Sequence, residues 1–327
     1  DGLLLLIVAA LAIVWIAWRE RARHASPLQG MILSLVALAL GYVLVMLPYF
    51  IRNMQAIGTP LPLGGTQSIW FSEYNDIFKY PPDSSPATLF ANGLGTFISS
   101  RETALINNLG TFVAVEGLVI MTPLMLIGLW RRRRSAFLFP FWLYALGLHL
   151  AMTFAFPFPG YRGGLLHSAA ALIPFWAALG VVGLDDLIEW VALRRRRWNA
   201  RTAKRVYSSA LVLFAVGLSI YIGITGQSPA RTPILYLELK QTLPANARIL
   251  SDDPAELYYY TGMGGATLPN DPPQTILDVA RRYNIDYLLL KDDSGSIPAG
   301  LLPILDAPPD FLKPIPFKSA RLYAIQR

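Results

Sequence analysis

A single arginine stands in a turn rich in proline and glycine, within FPFPGYRGGLLHS at residues 156–168. Arg162 follows Gly160 and precedes Gly163 and Gly164. Glycines allow a bulky group to approach the backbone, and a guanidinium binds phosphate through paired hydrogen bonds. An apolar helix is predicted to begin just after the turn, with its positive end toward Arg162. The pattern therefore predicts an anion site, with a simple boundary anchor as the alternative.

Three further residues are candidates for the same anionic substrate. Tyr161 precedes Arg162, and its alternative role is that of an aromatic residue at a membrane–water interface. His167 lies about one turn into the following helix, where it can bond either a phosphate or a neighbouring helix. Arg52 ends an earlier apolar segment, where the alternative is a structural tie to the next loop.

Acidic residues offer a second kind of chemistry. Glu73 and Asp76 lie among aromatics in FSEYND at residues 71–76, and this combination suits the binding of sugars. Solvated loop acids are the alternative interpretation. Glu116 lies within an apolar segment, where acids are rare and often functional, but a position near the segment's end also lets it reach the interface. We predict no role for His149.

The composition indicates a membrane protein. Of 327 residues, 54% are hydrophobic and only 15% are charged, against about 25% charged in a typical soluble domain. The absence of cysteine excludes disulfides and thiolate chemistry, and three scattered histidines argue against a histidine-rich metal site. No cofactor is identified, and dependence on a divalent metal stays open. Asp1 leads directly into an apolar run without a basic flank, so we expect the sequence to begin inside a longer membrane protein.

Six apolar segments are long enough to span a bilayer. The connections at 19–29, 131–134 and 194–205 hold 3, 4 and 7 Lys or Arg, and alternate with poorer ones at 52–110 and 158–164. The positive-inside rule therefore places loop 52–110, the Arg162 turn and the tail outside the plasma membrane. The basic loops also explain the high pI without a nucleic-acid surface. The six predicted spans are residues 3–18, 31–51, 111–130, 136–156, 165–183 and 206–225.

The remaining segments complete the predicted fold, a multi-pass α-helical membrane bundle followed by a small external α/β domain. The bundle takes residues 1–228 and the soluble domain residues 229–327. In the tail, Asp252 and Asp253 precede Pro254, a pattern that predicts capping of a helix N-terminus. The predicted elements are interfacial helices at 86–108 and 184–193, tail strands at 247–250 and 286–290, tail helices at 254–262 and 272–284, a turn at 262–265 and a hairpin at 313–327.

The order of these motifs resembles that of a known enzyme family. Three segments carry the resemblance together with the external interfacial helix: LPYFIRNMQAIGTPLPL at 47–63, GYRGGLLHSAAALIPFWAALGVVGLDD at 160–186 and ARILSDDPAELYYYTG at 247–262. They are similar to the C-terminal half of the C superfamily of integral-membrane glycosyltransferases. These enzymes use polyprenyl-phosphate-linked sugars and include relatives of protein O-mannosyltransferases and bacterial aminoarabinose transferases. The resemblance covers nearly the whole chain.

The resemblance implies an inverting transfer of a sugar from a polyprenyl-phosphate donor, at the outer membrane face. The acceptor would be a glycan, a lipid or a protein. The cations at Arg162, Arg52 and His167 would neutralise the phosphate leaving group. The family's catalytic carboxylate lies in the first external loop, which would precede Asp1, so no catalytic residue is assigned and this segment alone is expected to be inactive.

Two other classes of function compete with this interpretation. A transporter or flippase of lipid-linked sugars would have helices broken at matched positions in two halves, with charges near the midplane, and no such pairing is visible in the sequence. A non-catalytic membrane scaffold with an external sensing domain is the third possibility.

Overall fold

A computed structural model describes residues 2–21, 26–61, 65, 67–195, 197–226, 233–291 and 297–327. The predicted domain boundary between residues 228 and 229 lies outside the described residues, as do positions 62 and 63 of the first resemblance segment. Within the described chain, five helices are long and apolar enough to cross a membrane, or six if one bent pair counts as a single span. The architecture is therefore compatible with a multi-pass membrane protein.

The chain folds as two compact units. The first contains Asp1–Trp70 and Phe90–Gly226, and the second contains Phe71–Leu89 and Gln227–Arg327. The second unit therefore takes one segment from the loop at 52–110, which the sequence prediction assigned to the bundle as a whole.

The helices described in the first unit position the candidate site. Apolar residues predominate in most of these helices, whereas α3 (Gly93–Thr111) is of mixed polarity. In chain order the main helices are α1 (Gly2–Arg19), α2 (Pro27–Ile57), α3 (Gly93–Thr111), α4 (Met121–Arg132), α5 (Phe139–Leu150), α6 (Leu165–Ala169), α7 (Ile173–Ala192) and α8 (Ala200–Thr225). A short helix at Pro86–Ala91 lies in the loop between α2 and α3.

The tightest contact in the first unit lies between α4 and α7. A Cβ atom on Gly128 would fall 2.1 Å from the Leu179 carbonyl oxygen, and one on Gly183 would fall 1.9 Å from that of Leu124. The two helices can approach so closely only because these positions carry no side chain. The surrounding core is apolar and includes Met125, Leu148, Leu165, Leu172 and Trp176.

Several predicted helices have different limits in the structure; the interfacial helix predicted at 86–108, for example, is two helices, Pro86–Ala91 and Gly93–Thr111. The predicted span at 111–130 is not continuous: α3 runs on through a π-helical turn, Phe112–Glu116, and meets α4 at a bend of 92°. Leu118 and Val119 at the bend have positive φ angles of 45° and 60°, which residues other than glycine rarely adopt and the β-branched Val119 least readily. The acidic segment at 184–193, predicted as a separate interfacial helix, continues α7 without interruption.

The second unit is built on a five-stranded mixed sheet. Its strands are β1 (Arg248–Ser251), β2 (Gly264–Thr267), β3 (Tyr287–Leu290), β4 (Leu312–Ile315) and β5 (Arg321–Ile325), in the order β2-β1-β3-β5-β4. β1 pairs in parallel with β2 and β3, whereas β5 is antiparallel to both β3 and β4. Helices cover the sheet, namely α9 (Ile234–Thr242), α10 (Pro254–Thr261) and α11 (Thr275–Tyr283).

The predicted strands, helices and closing hairpin of the tail are all present, and Asp253 caps α10 by accepting from the backbone N–H of Glu256. One element differs: the GMGG segment, predicted as a turn, supplies Gly264 and Gly265 to β2. A Cβ on Gly265 would lie 2.1 Å from the Ile249 carbonyl oxygen. Here glycine allows two parallel strands to pair closely, and a strand composed of GGAT carries little sequence signal.

The loop segment in the second unit is attached through backbone hydrogen bonds. The N–H of Asn270 donates to the Phe78 carbonyl at 2.9 Å, and the N–H of Tyr80 donates to the Asp271 carboxylate at 2.8 Å. The Tyr80 ring also meets the Tyr283 ring edge-on, with centroids 6.3 Å apart. Polar groups thus find partners about 190 residues away in sequence, a relationship that no local pattern predicts.

Candidate functional site

Arg162 occupies a break between two helical segments. The turn Gly160–Gly164 departs from helical geometry at Arg162, with φ −88° and ψ 16°, and at Gly163, with φ +123°. Only glycine adopts the latter angle without strain. The Arg162 side chain is exposed. The break therefore presents a cation at a point where the helix axis changes direction.

Two of the turn's glycines serve chain packing. A Cβ on Gly160 would lie 2.1 Å from the Met152 carbonyl oxygen, and one on Gly164 would lie 2.7 Å from that of Pro159. From the sequence we interpreted Gly160, Gly163 and Gly164 as positions that let a ligand approach the backbone. The structure gives a packing reason for Gly160 and Gly164, and a conformational reason for Gly163.

The turn brings three predicted residues together. The Arg162 guanidinium carbon is 5.7 Å from the centre of the Tyr161 ring, within the range of a cation–π contact. The exposed His167 ring lies beside Gly163, with Nε2 3.9 Å from the position that a Cβ would take there. Arginine, tyrosine and histidine thus share one exposed turn, where all three can donate hydrogen bonds to an anion.

Arg52 is exposed near the end of α2 and, within the described residues, makes no hydrogen bond or ion pair. Its neighbour Asn53 is buried and donates to the Pro60 carbonyl at 3.1 Å. Asn53 therefore connects α2 to the following loop, and the Arg52 side chain is exposed.

Glu73 and Asp76 belong to the second unit. Asp76 is 5% exposed and accepts hydrogen bonds from the backbone N–H groups of Ser72, at 2.7 Å, and Glu73, at 3.1 Å. It also pairs with Lys79 at 2.8 Å. Burial alone would raise the pKa of the Asp76 carboxyl, but these hydrogen bonds outweigh it and hold that pKa below its ordinary value. Asp76 therefore organises the loop, whereas the Glu73 side chain is exposed.

A buried arginine in the first unit was not among the predicted site residues. Arg101, on α3, is only 7% exposed. Its guanidinium carbon lies 4.0 Å from the centre of the Phe97 ring. Nη1 donates to Ser100 Oγ at 2.9 Å, and Nε makes a long contact of 3.4 Å with the Phe154 carbonyl. All these partners are neutral, which is unusual for a buried charge.

The buried Glu116 pairs with the partly buried His149, and the sequence analysis assigned neither residue a place in the site. Glu116 Oε1 lies 3.0 Å from His149 Nε2, and its Oε2 accepts from Trp176 Nε1 at 2.7 Å. His149 Nδ1 is 2.8 Å from the Ala145 carbonyl oxygen. The Glu116 side chain is 1% exposed, so protein atoms enclose it. The contacts join the end of α3 to α5 and α7.

These groups belong to one polar seam between α3 and the segment that follows α5. Between Arg101 and Glu116, Asn108 donates to the Met152 carbonyl at 3.2 Å and to Thr153 Oγ1 at 3.0 Å. Positions 101 and 108 are seven residues apart and therefore share a face of the helix. The sequence did contain this seven-residue spacing. Because α3 is of mixed polarity, however, the sequence did not indicate which of its faces is buried.

The second unit has its own charged cluster where β1 and β3 end. Lys291 Nζ lies 3.0 Å from Asp252 Oδ2 and 3.3 Å from Glu256 Oε2. The Tyr236 hydroxyl donates to the same Glu256 oxygen at 2.6 Å. Burial opposes the charge on Lys291, but its bonds to Asp252 and Glu256 prevail and raise its pKa. The cluster joins α9 and α10 to the central strands.

Within the described ranges there is no group of three or more histidine, cysteine or acidic side chains that could hold a metal ion. Comparisons of the chain with protein-family models, with curated proteins and with solved structures find no match.

Proposed function

We propose that the chain belongs to a membrane glycosyltransferase that takes a sugar from a polyprenyl-phosphate-linked donor. The observation that carries the proposal is the exposed Arg162 at a helix break, beside Tyr161 and His167. In this reaction the glycosidic bond breaks as negative charge develops on the phosphate leaving group. A guanidinium fixed at that point stabilises the charge more in the transition state than in the bound donor.

The membrane arrangement supports the same proposal. The apolar helices are long enough to span a bilayer, and the arginine-rich connections alternate with poor ones. From this alternation we infer that the Arg162 turn and the second unit lie on the outer side of a plasma membrane. A prenyl donor held in that leaflet would present its phosphate to the turn, and the sugar would pass to a glycan, lipid or protein acceptor.

The structure also limits which residues can serve as the base. Glu116 is buried, and both its carboxylate oxygens are bonded to His149 and Trp176. It therefore has no access to an acceptor hydroxyl at the Arg162 turn. Asp76 is likewise occupied by its own loop. We leave the base unassigned, and Glu73 and Arg52 stay as candidates for substrate contact.

Donor consumption tests the proposal. Membranes that contain the protein from its natural gene are incubated with a panel of radiolabelled polyprenyl-phosphate sugars, and sugar release is measured. We expect the wild type to consume one donor and Arg162→Ala to lose about 100-fold or more of that rate, as for removal of one transition-state donor. Arg133→Ala, which removes an exposed arginine from the end of α4, is the matched control.

Two results would contradict parts of the proposal. Equal rates for the wild type and Arg162→Ala would make Arg162 a structural anchor and redirect the search for the phosphate site to Arg52. Failure of every donor, with protein correctly inserted, would reject the transferase.

A second function, transport of lipid-linked sugars, is supported by one observation. Transporters use interrupted helices and protonatable side chains in the membrane. Here the helices are broken at Gly160–Gly164 and at the 92° bend after Glu116, and the Glu116–His149 pair lies beside that bend. Reconstituted liposomes with a fluorescent lipid-linked sugar distinguish the two functions. A transporter moves the intact lipid between leaflets, whereas a transferase cleaves it.

A further inference from the structure

We propose that Arg101 binds the phosphate headgroup of an anionic membrane lipid. This inference does not depend on the transfer reaction, since it concerns a bilayer lipid held on α3. The first observation is that the charge of the buried Arg101 guanidinium has no carboxylate partner among the described residues. Arg101 is 7% exposed, yet no carboxylate among the described residues pairs with it. Even its neighbour in sequence, Glu102, is exposed and makes no ion pair with it.

The hydrogen bonds of Arg101 are also incomplete. A guanidinium carries five N–H groups. One from Nη1 reaches Ser100 Oγ and the one on Nε makes the long contact with the Phe154 carbonyl, so three have no acceptor within the described chain. Both N–H groups of Nη2 are among them. Phosphate oxygens suit this edge, because a guanidinium fork presents parallel donors at the spacing of two phosphate oxygens.

The position of Arg101 on its helix favours a lipid over a free ion. Ile98 and Leu105 lie three residues before and four residues after it, on the same side of α3. They are 62% and 40% exposed, and Leu94, one turn before Ile98, is 67% exposed. An apolar stripe thus runs along the helix, with Arg101 at the edge where this stripe meets the buried face. Acyl chains would lie along the stripe while the headgroup reaches the guanidinium.

Lipid binding to the whole protein in a neutral detergent tests the proposal. Native mass spectrometry would measure binding of phosphatidylglycerol, of diacylglycerol with the same acyl chains, and of inorganic phosphate. The variants are Arg101→Gln, which keeps some hydrogen bonding without charge, and Arg101→Lys, which keeps the charge without the fork. Arg133→Gln controls for the loss of one positive charge elsewhere.

We expect the wild type and Arg133→Gln to bind phosphatidylglycerol at least about 10-fold more tightly than Arg101→Gln, with Arg101→Lys between them. Diacylglycerol should bind all four proteins alike. Equal phosphatidylglycerol binding by the wild type and Arg101→Gln would overturn the proposal. Inorganic phosphate that competes fully and binds as tightly as the lipid would overturn the assignment to a lipid.

If Arg101→Gln does not fold, the wild type alone still decides. Phosphatidylglycerol should then raise its melting temperature more than diacylglycerol at the same concentration, because a ligand that binds only the folded state stabilises it. No difference between the two lipids would refute the site. The readout is binding and not sugar transfer, so this inference and the proposed function can fail separately.

Discussion

Glu116 Oε1 lies 3.0 Å from His149 Nε2, which is hydrogen-bond distance. The contact on the other side of the imidazole ring indicates how the hydrogens are arranged. His149 Nδ1 is 2.8 Å from the Ala145 carbonyl oxygen, which can only accept, so Nδ1 carries a hydrogen. One further proton then lies between the two side chains, as an imidazolium with a carboxylate or as a neutral imidazole with a carboxylic acid. Trp176 completes the site by donating to Oε2.

This proton count makes a glutamine substitution informative. Glu116→Gln can keep both contacts, because its carbonyl accepts from Trp176 and its amide donates to the unprotonated Nε2 of His149. We expect it to cost at most about 1 kcal/mol. Glu116→Ala leaves the buried indole N–H of Trp176 and the partly buried His149 ring without their partner and should cost about 3 kcal/mol. Thermal unfolding in detergent measures both.

Glu102→Ala, on the exposed side of the same helix, is the matched control and should leave unfolding unchanged. Equal losses for Glu116→Gln and Glu116→Ala would show that the pair requires an ionised carboxylate and would contradict this account.

The close approach of α4 and α7 leads to the next prediction. Gly183→Ala should destabilise the first unit by about 1–3 kcal/mol, because its new methyl group would meet backbone atoms that have no room to move. Gly217→Ala, in α8 with nothing within 4 Å of the new Cβ, should be neutral or slightly stabilising. Thermal melts of the two variants provide the comparison. An unchanged melting temperature for Gly183→Ala would mean that α4 and α7 are farther apart than these distances indicate.

These two sites show where sequence reasoning succeeds and where it stops. Hydropathy alone locates the apolar helices, because each contains a long run of apolar residues that stands out from the rest of the chain. Hydropathy does not locate the break after Glu116, since Leu118 and Val119 are good residues for a continuous span and adopt a left-handed backbone only in this packing. His149 likewise gains its partner from a helix 33 residues away.

The candidate site likewise contains residues that the sequence could identify and residues that it could not. Tyr161, Arg162 and His167 could be grouped in advance, because they are local in sequence. Arg101 could not be singled out, because its burial depends on how α3 packs against the segment near Phe154. The attachment of Tyr80 to Asp271 also joins distant positions, and only the folded chain reveals that a loop segment completes the second unit.

Asp76 should make the stability of its loop depend on pH. Its pKa is lowered by folding, so its contribution is present at pH values above its ordinary pKa of 3.8 and is lost as pH falls through the folded value. Asp76→Asn should open the loop at pH 7, at a cost of about 1–2 kcal/mol, because a charged acceptor for two N–H groups and Lys79 is lost.

Hydrogen exchange of residues 72–79, corrected for the intrinsic rate at each pH, measures this effect. The difference between wild type and Asp76→Asn should shrink as the pH falls below about 3.8. Asp83→Asn changes an exposed acid in the same segment and should leave protection unaltered. A difference that persists undiminished at low pH would show that Asp76 acts without its charge.

Asp271 gives the sharpest test of how the loop joins the second unit. The Asp271→Ala change removes the acceptor for the N–H of Tyr80, which is part-buried and has its bond at 2.8 Å. We expect a loss of about 1–3 kcal/mol in local opening of the segment, seen as faster hydrogen exchange around Tyr80. Asp271→Asn keeps a carbonyl oxygen at the same place and should retain most of the protection. If Asp271→Ala instead leaves exchange at Tyr80 unchanged while faster exchange appears in β1, the aspartate supports the sheet and does not hold the loop.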